Sequence, residues 1–153
     1  MVKLNIPKSV NDSFHKLVEE EIIESYDCQV CLTNHNASLE KRVVEAGRYL
    51  IFQLKRYKEN GESWVKDLSL VDCVSKELSL SVSVDDEVQC RKSYNLVASI
   101  CHSGTRAAGH YTAHVLNRED GQWLLCNDKA VLSIKSSDVN NKYSYLLFYE
   151  LSS

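Results

Sequence analysis

A chain of 153 residues, 44% apolar and 25% charged, has the make-up of one ordinary globular domain or a large piece of one. A formal net charge of −3 with both signs interspersed, a single Pro and five Gly give no support for a nucleic-acid partner, a membrane-surface role or a flexible linker. No apolar run approaches the ~18–20 residues of a membrane span, and "MVKLNIPKSVNDSF" lacks the apolar core of a secretory signal, so the expectation is an intracellular protein, cytoplasmic or nuclear, whose six Cys are reduced.

Residues 9–24, "SVNDSFHKLVEEEIIE", read as a helix. Ser9 or Asn11 can cap its first turn, and Asp12 sits where the helix dipole favours an anion. Val10, Phe14, Leu17, Val18 and Ile22 fall near one face. Residues 25–47 begin with the polar, turn-like "SYDCQVCLTNHN", which holds the pair Cys28 and Cys31. From residue 48 to 153 the signal is that of strands. "RYLIFQLKRY" alternates in part and runs into "KENGES", where Asn60-Gly61 marks a hairpin. "LSLSVSV" alternates strictly, so one face should be buried and the other wet. "SYNLVASICH", "HYTAHVL", "QWLLCN" and "YSYLLFYE" follow, separated by "SGTRAAG", "NREDG" and "SSDVNNK". One early helix and then a run of antiparallel-looking strands is an α+β, sheet-dominated pattern, with no internal repeat and no boundary within residues 1–153.

Two features carry chemistry. Cys28 and Cys31 have the spacing at which two thiolates grip one tetrahedral metal from a tight turn. A structural zinc needs four ligands, and His35 is the one further candidate nearby. Three readings stay open: zinc held by this chain alone, half of a site completed elsewhere, or a bare reduced knuckle. The second feature is "GHYTAHVLNREDGQWLLCND". In it His110, Thr112 and His114 share one strand face. A hairpin folded near Asp120-Gly121 brings Asn127 back beside His110. Asn127 could then accept from one ring nitrogen and leave the other to take a proton from a nucleophile. A neutral Asn suits a thiolate–imidazolium pair, because it orients the ring without neutralising it. Asp128 is a second candidate for that role. The plain alternatives are a half-exposed strand histidine and an ordinary Asn-Asp turn.

Taken together these motifs resemble the ubiquitin-specific proteases, the papain-like deubiquitinating cysteine peptidases. "YDCQVC" resembles the second C-x2-C of that family's zinc fingers. "RYLIFQLKRY" resembles the strand that follows, "YNLVASICHSGTRAAGHYTAHV" the His box, and "WLLCNDKAV" and "YSYLLFYE" the strands that close it. The resemblance implies the palm and fingers part of the catalytic domain, with ubiquitin and ubiquitinated proteins as partners and hydrolysis of the isopeptide bond at the ubiquitin C-terminus as the activity. It implies His110 as base, Asn127 as third triad member, Asp128 as an assisting acid, and Cys28 and Cys31 as one pair of zinc ligands. It also implies that His102 to Gly109 border the channel for the ubiquitin tail, where Gly104 and Gly109 keep the walls low.

The family's nucleophile stands in a Gly-Asn-x-Cys-Tyr type motif at a helix N-terminus, and none of the six Cys here has that context. The expectation is therefore the His/Asn half of a site, inactive alone, with the Cys-bearing lobe and the first C-x2-C lying outside these residues. A non-catalytic ubiquitin-binding module is the alternative, and a small zinc-supported domain unrelated to ubiquitin is a third.

Overall fold

The chain enters through a short strand, β1 (Val2–Leu4), which its patterning did not reveal, and passes to helix α1 (Val10–Val18). The computed structural model describes residues 1–6, 9–74, 77–84 and 87–152. Ser9 caps α1, its hydroxyl accepting from the Asp12 N–H at 3.2 Å. Asn11 instead donates to the Glu77 carbonyl. The helix ends at Glu19, which is extended. The expected helix over 9–24 is thus too long by its last six residues, 19–24. Residues 21–24 open strand β2 (Glu21–Asp27), which pairs antiparallel with β3 (Asn34–Leu39). The β-branched pair Ile22–Ile23 gains a cross-strand ladder there, and that pairing overrides a weak helical preference. Ile22 is accordingly 58% exposed on the hairpin and not packed under a helix.

"RYLIFQLKRY" is two strands, β4 (Tyr49–Leu54) and β5 (Tyr57–Asn60), and β5 pairs through the Gly61 turn with β6 (Ser63–Lys66). Gly61 has φ 62°, the left-handed conformation this turn requires. The break falls at Arg56, which is fully buried. Its guanidinium donates to the carbonyls of Ser144 (2.8 Å), Asp67 (3.1 Å) and Ser69 (2.6 Å). Those bonds offset the cost of taking a cation out of water. They also pin β4 to the strand that pairs beside it.

Strand β7 (Leu78–Val84) follows, and Leu78, Leu80 and Val82 are buried as the alternation predicted. Next come the long β8 (Glu87–Gly104), β9 (Gly109–Leu116), β10 (Trp123–Asn127), β11 (Ala130–Ile134), the single-turn α2 (Ser136–Val139) and β12 (Ser144–Leu151). They form one sheet in the order β1-β4-β12-β8-β9-β10-β11, with β7 added to the first half of β8. The β1–β4 pair is parallel and the others are antiparallel. Helix α1 covers one face. Phe14 meets Phe52 edge-on at 6.1 Å, and Phe52 meets Tyr149 at 5.6 Å. Leu4, Leu54, Val71, Leu78, Tyr94, Val139 and Leu147 complete this core. Each such side chain stabilises the fold by roughly 1.5–3 kcal/mol. The consequence for the site is a rigid platform from β12 to β10 with β9 inside it. The α+β, sheet-dominated architecture matches the expectation.

Candidate active site

The β9–β10 hairpin sets the geometry. Its register runs from Leu116↔Trp123 to Ala113↔Cys126. One step further, Asn127 stands level with Thr112 and on the His110 face, because side chains alternate along a strand. There His110 Nε2 lies 2.6 Å from Asn127 Oδ1. The amide oxygen only accepts, so Nε2 carries the proton and Nδ1 presents its lone pair. Both residues are exposed at the hairpin end. Asp128 follows with φ 49° in the tight turn from β10 into β11. Among the described residues it makes no hydrogen bond to His110.

His102 stands on β8, in register with Tyr111 of β9, and is buried. Its Nδ1 takes the Tyr57 hydroxyl at 3.0 Å and the Lys66 ammonium at 3.2 Å, and its ring stacks on Tyr111 at 4.5 Å. An ammonium only donates, so Nδ1 accepts and the ring is neutral. Burial, aided by Lys66, holds its pKa below the usual value. Lys66 also donates to the carbonyls of His102 (2.5 Å) and Gly104 (3.3 Å), which ties β6 to the end of β8.

The 104–109 segment is a tight loop. Gly104 has φ 105°, and a Cβ there would stand 2.6 Å from the Ala108 carbonyl oxygen. A Cβ on Gly109 would overlap the His102 ring and the Ser103 carbonyl oxygen. Thr105 N–H donates to the Ala108 carbonyl at 2.8 Å. Arg106 lies 4.3 Å over the Trp64 ring, which joins this loop to β6. Sequence reasoning missed Tyr57, Trp64 and Lys66. They stand some 40 residues away on a separate hairpin, with no local signal for the contact.

No thiol bonds His110 among the described residues. Burial pushes Cys73 up to about 12 and raises Cys101 as well, so both are poor nucleophiles. All six thiols are free.

A second cluster sits at the tip of β2–β3. The sulfurs of Cys28 and Cys31 and a ring nitrogen of His35 lie within 4.8 Å of one another. The turn closes by Cys28 N–H to the Thr33 carbonyl (3.1 Å) and Leu32 N–H to the Cys28 carbonyl (2.9 Å). His35 Nδ1 donates to the Asn36 carbonyl at 2.9 Å, which turns Nε2 to Cys31, 3.5 Å away. An imidazole anchored through its far nitrogen in this way is an oriented ligand. The Thr33 hydroxyl, 2.9 Å from the sulfur, is the main reason that Cys31 is pulled down to about 7.

The chain thus presents a carboxamide-oriented imidazole at the end of an interior strand of a sheet-dominated α+β fold, and a separate hairpin with paired thiols. The chain belongs to the ubiquitin carboxyl-terminal hydrolase family, whose model matches residues 3–149. It is 30% identical over 144 residues to Ubiquitin hydrolase B of Dictyostelium discoideum, covering 94% of this chain and 31% of that protein. It is 30% identical over 145 residues to Ubiquitin carboxyl-terminal hydrolase 2 of Rattus norvegicus, covering 93% of this chain and 23% of that one. The chain therefore spans less than a third of the length of these relatives. Its fold is similar to Ubp8 in a solved SAGA Ubp8/Sgf11/Sus1/Sgf73 DUB module (TM-score 0.82, 25% identity, 99% of this chain and 35% of that chain). The same module bound to ubiquitin aldehyde shares the fold as well (TM-score 0.78, 23% identity, 99% and 36%).

Proposed function

We propose that this chain is the base-bearing part of a thiol-dependent deubiquitinase acting in the cytosol or nucleus. The observation that carries the reading is the His110–Asn127 bond, which leaves Nδ1 free at the exposed end of β9. A Cys contributed by sequence outside these 153 residues is the nucleophile. His110 Nδ1 takes its proton, and the thiolate attacks the carbonyl carbon of ubiquitin's C-terminal Gly. His110 then returns the proton to the departing lysine amine, and a water activated by the same nitrogen hydrolyses the thioester. Asn127 holds the ring throughout, and Asp128 sits one residue beyond as an assisting acid.

Gly104 and Gly109 form the low wall past which an extended Gly-Gly tail runs, and His102 supports that wall from beneath. Cys28 and Cys31, with His35 as third donor, would hold a structural zinc. A zinc there would brace the fingers hairpin, whose residues otherwise have little apolar cover. The domain so read is one unit over 1–153, made of a helix, a fingers segment and the sheet with the His box.

The test is an electrophilic ubiquitin probe. The isolated chain should bind ubiquitin without being labelled, whereas the parent protein should be labelled at one Cys outside this segment. Labelling of the isolated chain would place the nucleophile within it and sink the half-site reading. A parent that binds ubiquitin and is never labelled would be a binding module.

A further inference from the structure

At the end of β9 far from His110 lies a concavity of about 780 Å³ that the proposed reaction does not use. Its walls come from the 46–48 turn, the first half of β8, the end of β9 and the last residues of β12. Three cations line it, Arg48, Lys92 and Arg118, against one acid, Glu150. That leaves an excess of two positive charges in a chain whose formal charge is −3.

The cations are held in place. Glu150 Oε1 accepts from Arg48 Nε at 3.0 Å and Nη2 at 2.8 Å, and its Oε2 accepts from Arg118 Nη2 at 2.6 Å. Lys92 Nζ donates to the Ala46 carbonyl at 2.7 Å. The carboxylate is the inner group, its side chain 15% exposed, while the side chains of Arg48 and Arg118 are 67% and 58% exposed. A guanidinium has five N–H donors. Glu150 uses two from Arg48 and one from Arg118, and Tyr49 bonds Arg118 as well, so each guanidinium still keeps donors beyond those bonds. Between them the lining is aliphatic at Val97, Leu116 and Leu151 and polar at Asn95 and Ser152.

We propose that this groove binds an acidic polypeptide segment. Carboxylate side chains of an extended chain would take the free N–H groups of Arg48 and Arg118 in forked pairs, and its apolar residues would rest on Leu116 and Leu151. Two features favour this occupant. The charge is complementary to it. The cations stand in a concavity, which an extended chain can enter. The inference does not depend on the activity proposed above.

The experiment titrates the full 153-residue chain into a fluorescein-labelled peptide of alternating Glu and Leu and follows anisotropy. Binding should weaken as salt is raised, and it should fall by about tenfold or more when Arg48→Gln and Arg118→Gln are combined. A matched Lys/Leu peptide should not bind. Independently of any variant, the peptide should shift the Asn95 side-chain amide resonance of the unaltered chain, because Asn95 lines the groove. Equal affinity for the double variant, or an unmoved Asn95 signal, would overturn the proposal. So would binding of oligothymidylate or phosphatidylserine vesicles in place of the acidic peptide.

Discussion

His110 and Asn127 are 17 residues apart in the chain and 2.6 Å apart in space, joined Nε2 to Oδ1 across the end of the β9–β10 hairpin. The bond depends on the strand register, since a slip of one residue would send Asn127 to the opposite face. It also fixes the tautomer, and with it which nitrogen can move a proton.

In the parent protein, His110→Ala should lower kcat/KM on a fluorogenic ubiquitin amide by about 10²–10⁴-fold. Asn127→Ala removes one hydrogen bond of about 1.4 kcal/mol and should cost about tenfold, while Asn127→Asp, which still accepts at the same place, should retain most of the rate. Wild-type turnover by Asn127→Ala would separate the bond from the chemistry.

Gly109→Ala should misplace the His box. The added methyl group meets the buried His102 ring and the Ser103 backbone, and neither can retreat from the packed sheet. Overpacking of this kind costs about 1–3 kcal/mol, and chemical denaturation of the isolated chain should show that loss. Gly104→Ala should be destabilising too, because it adds a backbone conformation with φ 105° that side chains rarely adopt. A Gly109→Ala chain as stable as the original would mean that His102 can move aside.

Zinc should bind the isolated chain with a stoichiometry no greater than one, through Cys28, Cys31 and His35. Competition with a chromogenic chelator should show binding abolished by Cys28→Ser or Cys31→Ser and weakened by His35→Ala. Unchanged affinity in the Cys variants would leave the cluster a bare hairpin tip. The chelator should leave the α1 and β12 packing intact, since no side chain of the cluster belongs to that core.

Acid should destabilise the fold in a defined window. Burial depresses the pKa of His114, and also that of His102, below the ordinary 6.5. The unfolded chain then binds more protons than the folded one once pH drops below 6.5. Stability is fully present above that value and is lost as pH falls from it towards the folded-state pKa values. Thermal melts at pH 7.5 and 5.5 should show the lower midpoint at 5.5, and His114→Gln should reduce the difference. Equal midpoints would mean that both rings titrate freely in the folded chain.

Much of the palm was legible because strands announce themselves locally. "LSLSVSV" buries Leu78, Leu80 and Val82 by alternation alone. The Asp120-Gly121 turn implied the hairpin that joins His110 to Asn127, and Ser9 signalled its own helix. The last six residues of the expected helix were misread because Ile22 and Ile23 have both a helical and an extended way to be satisfied. Only the partner strand, ten or more residues ahead, selects between them. β1 and β11 were missed for a related reason. They are the two edges of the sheet, three and five residues long, and too short to show a period.

The sequence by itself determined the residue types, the local strand periods and the turn that folds one arm of the His box onto the other. These are short-range properties, set by sterics and by the alternation of side chains. Tertiary structure alone decided that Arg56 is buried against three carbonyls, that Lys66 and Tyr57 hold His102 from another hairpin, and that Arg48, Lys92 and Arg118 gather in one groove. Each of these contacts joins segments far apart in the chain. Burial, charge neutralisation and hydrogen-bond satisfaction act on the folded arrangement as a whole, and no short stretch of residues contains that information.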